Sequence, residues 1–110
     1  MSPLSDSKQL SAKNKICPLE KAVNVISGKW KIPIIWHIQQ EKKRPSELLR
    51  VIENVDRRVL HQQLSVMVAD GLLTKKSFDE LPPRVEYGLT ETGQLLVNIL
   101  WDLNEWGKKL

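Results

Sequence analysis

Asp56-Arg57-Arg58-Val59-Leu60-His61-Gln62-Gln63-Leu64-Ser65-Val66-Met67-Val68-Ala69-Asp70-Gly71 is the stretch that decides how the rest of the chain is read. Either Asn54 or Asp56 can cap a helix at its start, and Gly71 stops it. Leu60, Leu64 and Met67 recur at the spacing of one buried helix face. At about 100° per residue, Arg57, Arg58, His61, Gln62 and Ser65 fall within one arc of about 140° on the other side. Every surface helix has a polar face, but this one is long-armed and cationic and holds no carboxylate. Arginine can reach the O6 and N7 of guanine with two hydrogen bonds, and glutamine can do the same with adenine. Arg57, Arg58 and Gln62 suit that task, and the shorter His61 and Ser65 can touch bases or phosphates.

The flanking segments give this helix a context. Before it, Ser46 can cap a short helix containing Leu48, Leu49 and Ile52, joined through the polar turn Glu53-Asn54-Val55-Asp56. After it, residues 72–78 read as a strand, Asp79-Glu80-Leu81-Pro82-Pro83 as a turn and residues 84–89, which alternate, as the return strand. A short helix, a tight turn, a polar-faced second helix and a hairpin make a helix-turn-helix with a β-hairpin wing. The expected class is mainly α with that hairpin (α+β). Ser46, at the start of the preceding helix, can offer hydroxyl and amide to a phosphate, and Lys75, Lys76 and Arg84 bracket the wing.

Further out, Cys17 sits where a cap would be and Pro18 at a first helical position, followed by Leu19, Val23 and Ile26 on one face. Residues 30–40 are apolar nearly all round, as in a central helix, and Pro33 is tolerated in its first turn, where the amides lack intrahelical partners. Thr90 can cap a last helix with Glu91 in its first turn. There Leu95, Leu96, Ile99, Leu103 and Trp106 fall on one side, and Val97, Leu100 and Trp101 widen the apolar arc beyond what one small core can cover. Such an excess on a terminal helix predicts a dimer contact through Leu96, Ile99, Leu100, Leu103 and Trp106, which Leu19 joins if the first helix takes part. Residues 1–15 are polar and read as a loose arm, leaving 16–110 as the domain.

Composition narrows the function classes. One domain fits 110 residues, and 41% hydrophobic with 27% charged residues is ordinary for a soluble globular protein. No apolar run approaches the ~20 residues of a membrane span, and the start has no secretory apolar region, so the cytoplasm is the default compartment. A single cysteine excludes an internal disulfide and a four-cysteine zinc site, and His37 and His61 lack metal-ligand spacing. No nucleophile–base pair or glycine-rich phosphate loop supports an enzyme, and no metal or other cofactor is expected. The net charge of +4 divides unevenly, with +6 over residues 1–44, +1 over 45–77 and −3 over 78–110. A nucleic-acid surface therefore comes from the middle of the chain, and the acidic last third points elsewhere.

With these elements in place, the chain resembles the HxlR-type winged helix-turn-helix transcription regulators, relatives of the multiple-antibiotic-resistance regulators. The matching stretches are Cys17-Pro18-Leu19-Glu20, Ser27-Gly28-Lys29-Trp30, Arg44 with Ser46-Glu47-Leu48, Leu60-His61-Gln62-Gln63-Leu64, Ala69-Asp70-Gly71-Leu72, and Pro82-Pro83-Arg84-Val85-Glu86-Tyr87-Gly88-Leu89-Thr90-Glu91-Thr92-Gly93. They span residues 17–93 in the family's order and spacing. The resemblance implies a bacterial homodimer, built through the N- and C-terminal helices, that binds a pseudo-palindromic operator in double-stranded DNA, with the hairpin against the backbone and its arginine able to enter the minor groove. Departures are Pro45 for a common Phe, Asp56 for Ser, His61 for Thr and Ser65 for Arg or Lys. Because His61 and Ser65 lie on the polar arc, the operator sequence does not transfer from relatives.

Cys17 has its own reading. A sulfur at a helix N-terminus lies near unpaired amides and the positive end of the dipole, with Lys15 and Lys21 near in sequence, and all of these favour reactivity. Some members of the family that the chain resembles use a cysteine here to sense oxidants or quinone-like electrophiles. The leading expectation is a DNA-binding repressor controlled by oxidants, quinones or diamide-like agents through Cys17. The alternatives are the same DNA role under a small ligand at the dimer interface, and a winged-helix protein-interaction module without DNA binding.

Overall fold

The computed structural model describes residues 17–110. Its elements are α1 (Pro18–Ile26), α2 (Lys31–Gln39), α3 (Pro45–Val51), α4 (Arg57–Ala69), β1 (Leu73–Phe78), β2 (Arg84–Leu89) and α5 (Glu91–Gly107). This is the expected helical domain with a two-stranded wing, in the expected order. The arm expected over residues 1–15 lies outside the described residues.

Four helices and the hairpin enclose the core. Ile34, Ile35 and Ile38 of α2 are buried with Leu48 of α3, Leu60, Leu64 and Met67 of α4, Leu73 and Tyr87 of the hairpin, and Val97 and Leu100 of α5. Central α2 meets α3, α5 and β2, which explains why its sequence is apolar on nearly every side. The strands pair antiparallel from Leu73 opposite Leu89 to Phe78 opposite Arg84. On the inner face of that ladder Tyr87 is buried, and loss of hydration pushes its hydroxyl pKa up. Its amide donates to the Lys43 carbonyl at 2.9 Å, tying the wing to the α2–α3 connection.

Caps set the boundaries. The Asp56 side chain accepts from the Val59 amide at 2.8 Å and starts α4, while Asn54 takes a left-handed φ of 65° in the preceding turn. Gly71, at φ 81°, ends α4 in a conformation that a side chain would strain. The short helix α3 corrects an expectation. Arg44 is its N-cap and Pro45 its first residue, so Ser46 lies inside the first turn and does not cap it. The proline ring supplies helical φ at position 45, two residues before a helix capped by Ser46 would begin. Glu47 then reaches back and accepts from the Arg44 and Lys43 amides, both at 3.0 Å. The Arg44 amide holds the Glu47 carboxyl below the usual carboxylate range, against the opposing effect of partial burial and with help from the Lys43 amide and the Arg44 and Lys42 charges. A lowered folded-state value means that this anchoring is complete above the ordinary glutamate range and is lost as pH falls through the lowered one.

Two further differences concern the ends of elements. Leu72 precedes β1 rather than opening it, because its amide bonds to the Met67 carbonyl and its carbonyl accepts from Thr90. Leu100, expected at the dimer surface, is 4% exposed and belongs to the protomer's own core, on the same inward stripe as Gly93 and Val97. Thr90 caps α5 by accepting from the Gly93 amide at 2.9 Å. A Cβ on Gly93 would collide with the Leu72 carbonyl oxygen, a backbone atom with little room to move. Gly93→Ala is therefore expected to destabilise the fold by about 1–3 kcal/mol, the usual cost of overpacking, read as a fall in melting temperature at fixed protein concentration.

Candidate nucleic-acid interface

Arg57, Arg58, His61, Gln62 and Ser65 are all exposed along one side of α4, while Leu60, Leu64 and Met67 on the other are fully buried. The burial of that stripe fixes the roll of the helix, so the polar arc faces away from the core as a rigid row. The Asp56 carboxylate caps the helix at its N-terminus and stands off the arc.

A cleft of about 440 Å³ joins this row to the rest of the site. Its walls bring together Ser46 from α3, Arg57 and His61 from α4, and Arg84 from β2, with Arg44 and Glu80 at its edge. Four residues picked from three separate stretches of sequence thus share one concave surface. Ser46 remains exposed there as the second residue of α3. Its place in the first turn still leaves its amide without an intrahelical partner.

The wing is arranged less simply. Lys75 and Lys76 are both exposed, but as neighbours in β1 they stand on opposite faces of the hairpin. Lys75 shares the Tyr87 side, whereas Lys76 stands opposite Glu86 and lies over the Phe78 ring at 5.1 Å. Arg84 stacks on the same ring at 3.9 Å and is paired with two carboxylates, Glu80 at 3.0 Å and Glu86 at 3.6 Å. Glu86 also faces Arg44 at 3.7 Å. Those acidic partners were missed in the sequence, where Glu80 reads as turn and Glu86 as an alternating strand position.

Elsewhere, Cys17 is the N-cap of α1. Its Sγ accepts from the Glu20 amide and its own amide donates to the Glu20 carboxylate, each at 3.4 Å. It is 5% exposed, although none of the nine residues of α1 itself is buried. Leu19, Ile99, Leu103 and Trp106 are all large, apolar and exposed, joined by Val23 and Leu95, and Leu96 is half-buried against the core. An apolar groove of about 410 Å³ runs between α1 and α5, with Pro18, Val25, Leu95, Leu96 and Ile99 in its walls. Trp36 packs on Trp101 with ring centroids 4.8 Å apart, so these two are joined to each other across α2 and α5.

The model of the HxlR-like helix-turn-helix family matches residues 25–110. The chain belongs to that family. The HTH-type transcriptional regulator YybR of Bacillus subtilis (strain 168) is 36% identical over 105 residues, covering 96% of this chain and 84% of YybR. Among solved structures, the redox regulator HypR in its reduced form is similar with a TM-score of 0.79 and 38% identity, over 84% of this chain and 92% of HypR. HypR in its oxidized form gives a TM-score of 0.78 at the same identity, over 86% of this chain and 97% of HypR. The chain is accordingly a DNA-binding transcription regulator with a winged helix-turn-helix. No helix among the described residues is long and apolar enough to cross a membrane.

Proposed function

We propose that the protein is a dimeric repressor that places α4 of each protomer in the major groove of a pseudo-palindromic operator and releases or remodels that contact when Cys17 is modified by an oxidant or electrophile. The observation that carries the DNA contact is the carboxylate-free row of Arg57, Arg58, His61, Gln62 and Ser65, continuous through one cleft with Ser46 and Arg84. Arg57, Arg58 and Gln62 have the reach and donors to read base edges. Ser46, Lys75, Lys76 and Arg84 hold the phosphates on either side. This concentration of donors favours DNA over a purely protein-binding surface.

The dimer reading rests on α1 and α5. Leu19, Ile99, Leu103 and Trp106, with Leu96 at the edge, form an apolar surface that a lone protomer leaves in water. A second copy of the same two helices would cover it about a twofold axis. The acidic last third of the chain suits a helix facing its partner rather than DNA.

Control through Cys17 is supported by its place in that same region and by the likeness to HypR, a redox regulator described in reduced and oxidized forms. The sulfur accepts a hydrogen bond that caps α1. Oxidation to a mixed disulfide with a small thiol, in which an oxidant such as diamide takes up the two electrons and two protons, or addition of the thiolate to an electrophile, would weaken that cap and add bulk at the end of a dimer helix. Wild type and Cys17→Ser are expected to bind the same operator duplex equally when reduced. Diamide or a quinone should shift the wild-type affinity at least severalfold and leave Cys17→Ser unchanged. An equal response from both proteins, or none from either, removes Cys17 as the sensor.

A further inference from the structure

Arg84 is the one wing cation that lines the cleft, yet its guanidinium is engaged from three sides. Phe78 lies beneath it with 3.9 Å from Cζ to the ring centre. Glu86 Oε2 stands 3.6 Å from Nε, near enough for charge attraction and too far for a good hydrogen bond. Glu80 Oε2 stands 3.0 Å from Nη2, within hydrogen-bond distance. Glu86 in turn faces Arg44 Nε at 3.7 Å. Glu80 and Glu86 thus offset the charges of Arg84 and Arg44 on this side of the cleft, so the Arg84 guanidinium offers a phosphate little net attraction as it stands.

The two carboxylates are not equivalent. Glu86 lies within β2 and is shared by two arginines, with its side chain 28% exposed. Glu80 lies in the hairpin turn, where its amide bonds to the Phe78 carbonyl at 2.9 Å. Its side chain is 49% exposed and Arg84 is its partner. An arginine fork accepts carboxylate and phosphate oxygens in the same geometry. Phe78 holds the Arg84 guanidinium in place whether or not Glu80 is attached.

We propose that Glu80 is an intramolecular competitor for Arg84, which passes from the Glu80 carboxylate to a DNA phosphate when the wing meets the duplex. Glu80 thereby sets backbone affinity without reading sequence, and Glu86 is the positioning residue that keeps Arg84 and Arg44 at the rim of the cleft. This inference rests on the DNA-binding reading of the cleft.

The test measures binding of wild type, Glu80→Gln, Arg84→Ala and the double variant to two duplexes, one selected from a random pool and one of unrelated sequence. Glu80→Gln should tighten both by about two- to fivefold, the range that an exposed ion pair represents, and steepen the salt dependence by up to about one unit. In the Arg84→Ala background the gain should shrink to near unity. No gain in the wild-type background would overturn the competition. An equal gain in both backgrounds would also overturn it, because Glu80 would then act only as a negative charge near DNA. Wild type that binds neither duplex would overturn the DNA reading together with this one. Unchanged melting curves establish that the variants fold, and Glu80→Ala should repeat the Glu80→Gln result.

Discussion

Replacing Arg57 and Arg58 together by alanine is expected to abolish the shift of an operator duplex while leaving the dimer intact. Both side chains are exposed in the first turn of α4, so their removal takes nothing from the core. Alanine is a good helix former, and the Asp56 cap remains. A bidentate arginine contact to a base is worth about 1–3 kcal/mol of discrimination, so losing two should weaken specific binding on the order of a hundredfold or more. The pattern of loss also distinguishes their roles. Base contacts would cost affinity for the selected site more than for unrelated DNA, whereas phosphate contacts would cost both alike and flatten the salt dependence by about one unit per residue. Electrophoretic mobility shift and fluorescence anisotropy at several salt concentrations would show which. Unchanged binding would mean that α4 is not the recognition helix.

The second large effect is expected at the proposed dimer surface. Ile99 is 61% exposed between Leu95 and Leu103 on the outer side of α5, across the groove from α1. Burying such a side chain contributes about 1.5–3 kcal/mol, and an aspartate in its place would carry an uncompensated charge into an apolar contact once from each protomer. Ile99→Asp should raise the dimer dissociation constant by at least a hundredfold, with the fold retained because the residue is outside the core. Binding to a two-half-site duplex should fall with it, since each protomer alone then holds one half-site. Sedimentation velocity reads the first effect and anisotropy the second. A dimer as tight as wild type would place the interface elsewhere.

Local signals in the sequence carried much of the fold. The Asp56 cap, the Leu60–Leu64–Met67 stripe and the Gly71 stop define α4 within a single stretch, and each is realised in the structure. The hairpin was equally legible, because the polar turn with two prolines separates two segments that pair in register. Positions that depend on neighbours distant in sequence were less so. Leu100 and Ile99 are adjacent and equally apolar, and only the docking of α5 on α2 decides that one is core and the other surface. Ser46 looks like a cap until Pro45 is seen to open the helix two residues earlier than such a cap would. The cationic members of the site could be read from residue type and spacing. Their acidic partners were harder to read: the Arg44–Glu86 pair joins residues 42 positions apart and forms only when the wing folds against the α2–α3 connection, and Glu80, although four positions from Arg84, sits in a turn whose course alone brings the two side chains together.

That asymmetry matters for function. A count of cations on the wing overstates its attraction for DNA, since Arg84 is already paired with Glu80 and Glu86. The row on α4 carries no such acidic counterweight, and so, on the proposed reading, it is the part of the surface expected to contribute most to DNA binding. The excess positive charge of the first 44 residues is a poorer guide than those five neighbouring side chains.

The most direct test is to select binding sites from a random duplex pool with the purified wild-type protein and to footprint the enriched sequence. A dimer with one α4 in each of two major grooves predicts an inverted repeat, with two protected half-sites about one helical turn, or a whole multiple of it, apart and with protection lost in Arg57→Ala/Arg58→Ala. No enriched sequence, or a single unsymmetrical footprint that the double variant reproduces, would contradict it.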